Sequence, residues 1–568
     1  MKIIKHLIKN CIRIINLLFI SWFFTSCQQE TVADKIYINA TIWTGDLSNP
    51  SATALGVKDS LLIFVDDVYE SYRGDKTEII DLQGQMIVPG FIDNHTHFLS
   101  GGYQLASVDL RNAGSPEEFI KTLGDFTENV PEGRWIQGGD WDHEAWGGDL
   151  PQKKWIDSVT GSHPLFVSRY DGHMALANSL TLELAGIDKN TPNPPGGEII
   201  KDSETGEPTG VLKDEAMGLV YGVLPSTTAE ELDESLNRAL DHAFENGVTQ
   251  IHDMGSYGGW TDLEVYQRAQ EQNKLALRIY SFVPLESWER LDQYVKENGK
   301  GDDVLRWGGL KGFVDGSLGS TTALFYEPYL DEPNTSGLLV TDTIILRNRI
   351  LSADSAGLHL AVHAIGDRAN DWVLDVFEEA SKIKGGNSSR FRIEHAQHLS
   401  PEAFPRFDSL GVIPSMQPYH TIDDGRWAAK RLDYKRLEGT YAFKELLEND
   451  ARLTFGSDWT VGPLSPILGI YAAVTRRTLD DKNPEGWFPE QKLSVEEALK
   501  SYTYNNAYAG FFENKTGKLK VGMLADFVVL SKDLLKIPSE EIKDVTVLRT
   551  IINGKEVFIG EVTGQSNP

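Results

Sequence analysis

Two histidines one residue apart close an apolar run in Pro89-Gly90-Phe91-Ile92-Asp93-Asn94-His95-Thr96-His97. On an extended strand the side-chain period is two, so His95 and His97 face the same side and can bind one metal ion as a chelate. Four more residues of metal-binding or charged type, Lys311, His363, His395 and Asp458, stand at or just beyond the ends of apolar segments. Singly, each has a structural reading. Lys311 can pair with Asp315, His363 and His395 can be satisfied core histidines, and Asp458 can cap a following helix. Gathered at one end of one fold they form a ligand set, because neutral imidazole nitrogen and carboxylate oxygen both suit Zn²⁺ and its neighbours. Lys311 fits that set poorly as it stands, since an ammonium offers donors and no lone pair.

The elements that must position these groups are short apolar strands alternating with longer polar-apolar segments. Met86-Ile87-Val88 with Phe91-Ile92 suits a strand buried on both faces, as in a parallel sheet, with the histidines at its carboxyl end. Eight strand segments can be read: 91–97, 247–252, 277–282, 309–314, 359–363, 391–395, 412–416 and 452–456. Eight is the number a (β/α)8 TIM barrel needs, and its active sites lie at the carboxyl ends of the strands. The expected fold is therefore an α/β barrel over 89–100 and 241–508. Residues 101–240, after the first barrel strand, exceed any βα loop and read as an inserted subdomain over the carboxyl face, a lid and specificity element. Its Trp135, Trp141, Trp146 and Trp155 can either line an apolar cleft or fill a core. Strand-and-turn patterns at both ends, 28–88 and 509–568, are each too small for a core and together suggest one composite β-sandwich domain.

Composition narrows the partners. The 568-residue chain carries a formal net charge of −29, which argues against nucleic-acid binding and against adsorption to anionic lipid. Its two cysteines, Cys11 and Cys27, leave no disulfide framework and no thiolate zinc site. Both fall at the start, where Lys2, Lys5, Lys9 and Arg13 precede an apolar stretch ending in Phe24-Thr25-Ser26-Cys27. This resembles a bacterial lipoprotein signal over 1–27, which implies lipid on Cys27, a membrane anchor and a location outside the cytoplasm.

The same stretches carry a wider resemblance. Besides Pro89 to His97, they include Gly312-Phe313-Val314-Asp315-Gly316-Ser317 after Lys311, His363-Ala364-Ile365-Gly366-Asp367, Arg392-Ile393-Glu394-His395, Gly456-Ser457-Asp458, Asp171-Gly172-His173-Met174 and Gly522-Met523-Leu524-Ala525-Asp526. Together these are similar to the amidohydrolase superfamily of metal-dependent hydrolases, and within it to the amidohydrolase-3, YtcJ-like branch. The resemblance implies two divalent ions, expected to be zinc, with His95 and His97 on the more buried one and His363 and His395 on the more exposed one. It further implies that Lys311 is carbamylated by CO2 into a bridging carboxylate. Asp458 is then a ligand that takes a proton from a metal-bridging hydroxide or water and gives it to the leaving nitrogen. His173, His252 and His420 are read as substrate-binding residues on the same face, and Glu394 and Asp93 as supporting ones.

The implied reaction is hydrolysis of a non-peptide carbon–nitrogen bond, such as an N-acyl or N-formyl amide, in a small-molecule substrate. An esterase or lactonase on the same site is the alternative within the class. A silent solute-binding lipoprotein is the alternative outside it, and a homo-oligomer is compatible with either.

Overall fold

The computed structural model describes residues 32–560 apart from 170–173, 195–196, 256–258 and 320. At its centre eight parallel strands lie side by side in chain order: Phe91–Thr96, Val248–Asp253, Arg278–Pro284, Leu305–Phe313, His359–Ala364, Arg392–His395, Ile413–Met416 and Thr454–Phe455. Each matches a segment read from the sequence. Every residue of the first, second, fifth, sixth and seventh is buried, as strands covered on both faces require.

The barrel closes by an unusual seam. The eighth strand has only two residues, so it cannot form a full ladder with the first. The Asn506 carboxamide fills the gap, donating to the carbonyls of Ile92 and Phe455 and accepting from Phe455 N–H. Farther along, backbone pairing resumes: Asp458 N–H donates to His95 O, and His97 N–H donates to Trp459 O, both at 2.7 Å. Between these stands Gly456, where a Cβ would fall 2.5 Å from His95 N. Closure of the barrel thus fixes Asp458 against His95 and His97.

Two antiparallel-rich sheets form the sandwich at the other end. One runs Lys555–Ile559, Val547–Ile552, Phe527–Leu530, Met86–Pro89, Thr41–Trp43, Ser51–Ala52, and joins the two chain ends in one sheet. The other runs Leu61–Asp66, Ala54–Lys58, Lys35–Ile38, Glu78–Asp81. Tyr37, Leu55, Leu62, Ile87, Phe527 and Val529 share a core in this domain. The apolar pattern from Met86 to Ile92 reads as one strand, but the structure splits it. The chain leaves the sandwich at Pro89 and enters the barrel at Phe91, with Gly90 N–H donating to Asp526 O at the junction.

After the first barrel strand comes a six-stranded mixed sheet in the order Gly197–Lys201, Pro208–Asp214, Met174–Ala177, Phe166–Arg169, Gly138–Trp141, Val108–Asp109. Its four tryptophans settle as core aromatics. Trp141 is completely buried and donates its indole N–H to Val167 O at 2.9 Å, Trp146 and Trp155 pack on the same core, and Trp135 packs beside Phe166 and Leu182. The boundary expected at 240 moves back. A capping box between Thr228 and Glu231 starts the helix Ala229–Glu245, whose Leu236, Ala239, Leu240 and Ala243 join the barrel core. No helix among the described residues is long and apolar enough to cross a membrane. Residues 1–27, with Cys27, lie outside the described residues.

Candidate metal centre

His95 and His97 flank Thr96 where the first strand meets the helix Phe98–Leu105. Their Nε2 atoms lie 3.4 and 3.3 Å from Asp458 Oδ1. The opposite nitrogens face acceptors: His95 Nδ1 lies 2.6 Å from Glu394 Oε2, and His97 Nδ1 2.5 Å from Gly255 O. A carboxylate and a carbonyl cannot donate, so Nδ1 carries a proton in each ring, and each Nε2 faces the carboxylate as a lone pair in a neutral ring or as a donor in a protonated one. Desolvation would lower His97, but its hydrogen bond and charge interaction with Asp458 outweigh it and raise the group above its ordinary value, so either a proton on Nε2 or a cation satisfies this pair.

A second cluster uses the same aspartate. His395, His420 and Asp458 bring one donor atom each within 4.8 Å of one another, as do His95, His97 and Asp458. His395 Nδ1 donates to Gln417 Oε1 at 2.9 Å, which again leaves Nε2 as the lone pair. His420 Nε2 is buried without a hydrogen-bond partner and lies 4.0 Å from Asp458 Oδ2. These donors fit a divalent ion. The backbone is also strained here, with positive φ at His395, Ala396 and Asp458. Such conformations cost about 1–3 kcal/mol each and persist where the surroundings enforce them.

Electrostatics follow burial. His95 is pushed down to about 4 by desolvation and then by Lys311, and His395 is held well below the usual histidine range by desolvation and then by His363. Both therefore stay neutral, the form that binds a metal. Desolvation would raise the Asp458 carboxyl, but His95, His97 and His395 outweigh it and hold the group well below its ordinary value. Lys311, on the fourth strand, places Nζ 3.3 Å from His95 Nε2, and desolvation pulls its ammonium down to about 8. Asp315 is not its partner: that carboxylate accepts the backbone N–H groups of Leu324, Ile365 and Gly366 at 2.8 to 3.0 Å.

Of the other histidines expected at the site, His363 stands beside His395, His252 lies beneath the site and His173 falls outside the described residues. His363, grouped with His395 from the sequence, belongs to neither three-donor cluster. Its ring lies 4.5 Å from that of His395, and Nε2 donates to Gly316 O at 3.1 Å, leaving the lone pair on Nδ1. His252 is not at the mouth. It is fully buried inside the barrel, with Nδ1 2.6 Å from Asn94 Oδ1 and 3.0 Å from Arg392 Nη1, because as a strand residue it points inward beneath the site. His173 is one of the residues outside the described set.

Sequence reasoning does not single out Gln417 or Arg392. Arg392 is completely buried and donates to Glu394 Oε1 at 2.8 Å, Asn94 O at 2.6 Å and Ser415 Oγ at 3.2 Å. The alternation Arg392-Ile393-Glu394 is the available signal, since period two puts both charges on one strand face. Asp93 is a scaffold residue, accepting His95 N–H and Ser457 N–H.

Comparison with known proteins places this geometry. Residues 78–558 match the model of the amidohydrolase family. The chain is 40% identical to Protein LONG AFTER FAR-RED 3 of Arabidopsis thaliana, over 93% of this chain and 92% of that one. It is 27% identical to the N-substituted formamide deformylase of Arthrobacter pascens, over 92% and 97%. Among solved structures, a metal-dependent hydrolase from Pyrococcus horikoshii superposes with a TM-score of 0.73 at 31% identity, covering 89% of this chain and 99% of the other. A (β/α)8 barrel with a flanking sandwich, a His/Asp metal centre at the barrel seam and a family match over most of its length show that this chain belongs to the amidohydrolase family.

Proposed function

We propose that this hydrolase opens a non-peptide carbon–nitrogen bond in an N-acyl or N-formyl amide, using two divalent ions, zinc being the expected metal. The observation that carries the reading is the convergence of His95 Nε2 and His97 Nε2 on one oxygen of Asp458, while His395 and His420 approach the same carboxylate. Such ions, when bound, polarise a carbonyl and bring the pKa of water toward neutrality. The name of the Arthrobacter relative supports an N-formyl amide as one member of the substrate class.

The chain's own residues supply the rest. We assign the first ion to His95 and His97, and the second to His395 and His420, with His363 alongside. Lys311 Nζ lies 3.3 Å from His95 Nε2, and as an ammonium it would repel a cation held by that nitrogen. As a free amine it can add to CO2, forming an N–C bond and losing a proton, and the resulting carbamate would offer carboxylate-type oxygens as ligands. Its lowered pKa, about 8, leaves an appreciable fraction of free amine near neutral pH. Asp458 enters as a carboxylate, accepts a proton from the attacking water and returns it to the leaving nitrogen. In the same proposal Cys27 carries lipid, and the enzyme works outside the cytoplasm on a membrane tether.

The test is a panel of N-formyl and N-acyl amines with matched esters, run on the metal-loaded protein and on Asp458→Asn. The proposal expects amide turnover and a kcat loss of roughly 10²- to 10⁴-fold in the variant. Turnover of esters alone would replace the bond class, and near-normal turnover by Asp458→Asn with metal retained would remove its role. Bound metal with no turnover of either class would point to the solute-binding reading.

A further inference from the structure

Beside the metal centre, between barrel and inserted sheet, lies a cavity of about 850 Å³, within the range that holds a small organic ligand. Its wall adjoins the candidate ligands in sequence: Tyr419 precedes His420, and the stretch from Trp459 to Pro463 follows Asp458. At Gly462 the separation is thin, because a Cβ there would come within 3.6 Å of His420 Nε2, the buried nitrogen without a partner.

The lining mixes aromatic and aliphatic side chains, Tyr103, Tyr419, Trp459 and Leu479, with neutral polar ones such as Asn112 and Gln137, and each of its arginines pairs with an aspartate. Arg111 donates to Asp140 at 2.7 Å, and Arg426 donates to Asp423. A third acid, Asp109, accepts the backbone N–H of Arg111 at 2.9 Å. Asp140 owes its place to an irregularity in its strand: it has φ of 61°, and the register shifts between Gly139 and Trp141. Bulges of this kind re-aim a side chain next to a functional site. Two arginines, each bound to an aspartate, face three aspartates.

We propose, on the amide-hydrolase reading above, that this cavity receives the amine-side substituent of the substrate and selects a bulky apolar group that is neutral or cationic over one bearing a carboxylate. An added carboxylate would meet three aspartates against two arginines that each already pair with one of them, so the local charge opposes it. The net charge of −29 acts in the same direction at long range.

The test compares N-formyl-2-phenylethylamine with N-formylphenylalanine, which differs by one carboxylate, on the full chain. Calorimetric binding of both compounds is measured beside turnover. Expected is a preference for the first of at least about tenfold in kcat/KM and in binding, one charge interaction's worth in a cleft. Asp140→Asn, which suits a left-handed backbone and frees Arg111, should narrow the ratio by about fivefold or more. A preference for the carboxylate, or a ratio that Asp140→Asn leaves unchanged, overturns the assignment of the cavity while amide turnover stands. The expected charge preference in binding, with no amide hydrolysed, supports the cavity and overturns the amide-hydrolase reading instead.

Discussion

Glu394→Gln tests how the barrel interior prepares the metal centre. Glu394 has no exposed surface, and it takes hydrogen bonds from His95 Nδ1 at 2.6 Å, Ser415 Oγ at 2.7 Å and Arg392 Nε at 2.8 Å. Desolvation would raise its carboxyl, yet Arg392 and then His95 hold it well below the usual range, so it is a buried anion. Glutamine keeps the shape and removes the charge, with two effects. Arg392, itself completely buried, loses its only carboxylate partner among the described residues. Breaking a buried pair from one side costs about 3–5 kcal/mol, and the remaining bonds to Asn94 O and Ser415 Oγ favour the lower end, about 3 kcal/mol. The second effect is on the metal. A carboxylate can only accept, which fixes the proton of His95 on Nδ1, whereas a carboxamide can turn its NH2 inward and move that proton to Nε2. Losing such a partner weakens metal binding by roughly 10- to 100-fold. Urea denaturation of the metal-free protein and zinc titration with a competing chelator measure the two effects separately. A variant within about 1 kcal/mol of wild type in stability and unchanged in zinc affinity would refute the argument.

Asn506→Ala should destabilise the fold by about 3 kcal/mol or more, because it leaves the Ile92 and Phe455 carbonyls and Phe455 N–H buried without partners at the seam, at about 1–3 kcal/mol per group; a loss under about 1 kcal/mol in chemical denaturation would mean the seam closes without it. His359 gives a pH dependence. Burial, then Arg392, pushes it down to about 3, so between the unfolded pKa near 6.5 and that value the unfolded chain binds a proton that the native one refuses. Its contribution is therefore complete above about pH 6.5 and is lost on acidification. His359→Gln should flatten the fall of stability with pH by about 1.4 kcal/mol per pH unit from about 6 to 4, and parallel curves for the two proteins would contradict this.

Much of the architecture was legible because buried parallel strands are largely apolar runs separated by longer polar-apolar segments. Legibility ended where tertiary contacts decide. The domain boundary expected between 88 and 89 falls within two residues of the break at Gly90, but the equal apolarity of Met86-Ile87-Val88 and Phe91-Ile92 makes the two strands read as one. The helix Ala229–Glu245 carried its signal in Thr228 and Glu231, but the length of the insert drew the boundary past it. The Asn553-Gly554 pair marks the hairpin between Val547–Ile552 and Lys555–Ile559, and both residues have positive φ. In the site, identity was legible and geometry was not. Strand periodicity puts His95 and His97 together, whereas His420, on the helix Pro418–Asp424, reaches Asp458 only because that helix follows the seventh strand. His252 lies on a barrel strand as His363 and His395 do, yet it sits deep in the interior, which spacing along the chain does not reveal.

The central claim is that Lys311 and the histidines around Asp458 form one two-ion centre. Intact mass under native conditions, on wild type and Lys311→Ala, tests it most directly. Two divalent ions and one CO2 adduct are expected on the wild-type chain, with the adduct lost on acidification and the metal lost from Lys311→Ala. A Lys311→Ala protein that keeps both ions and full turnover would show that Lys311 is no part of the centre.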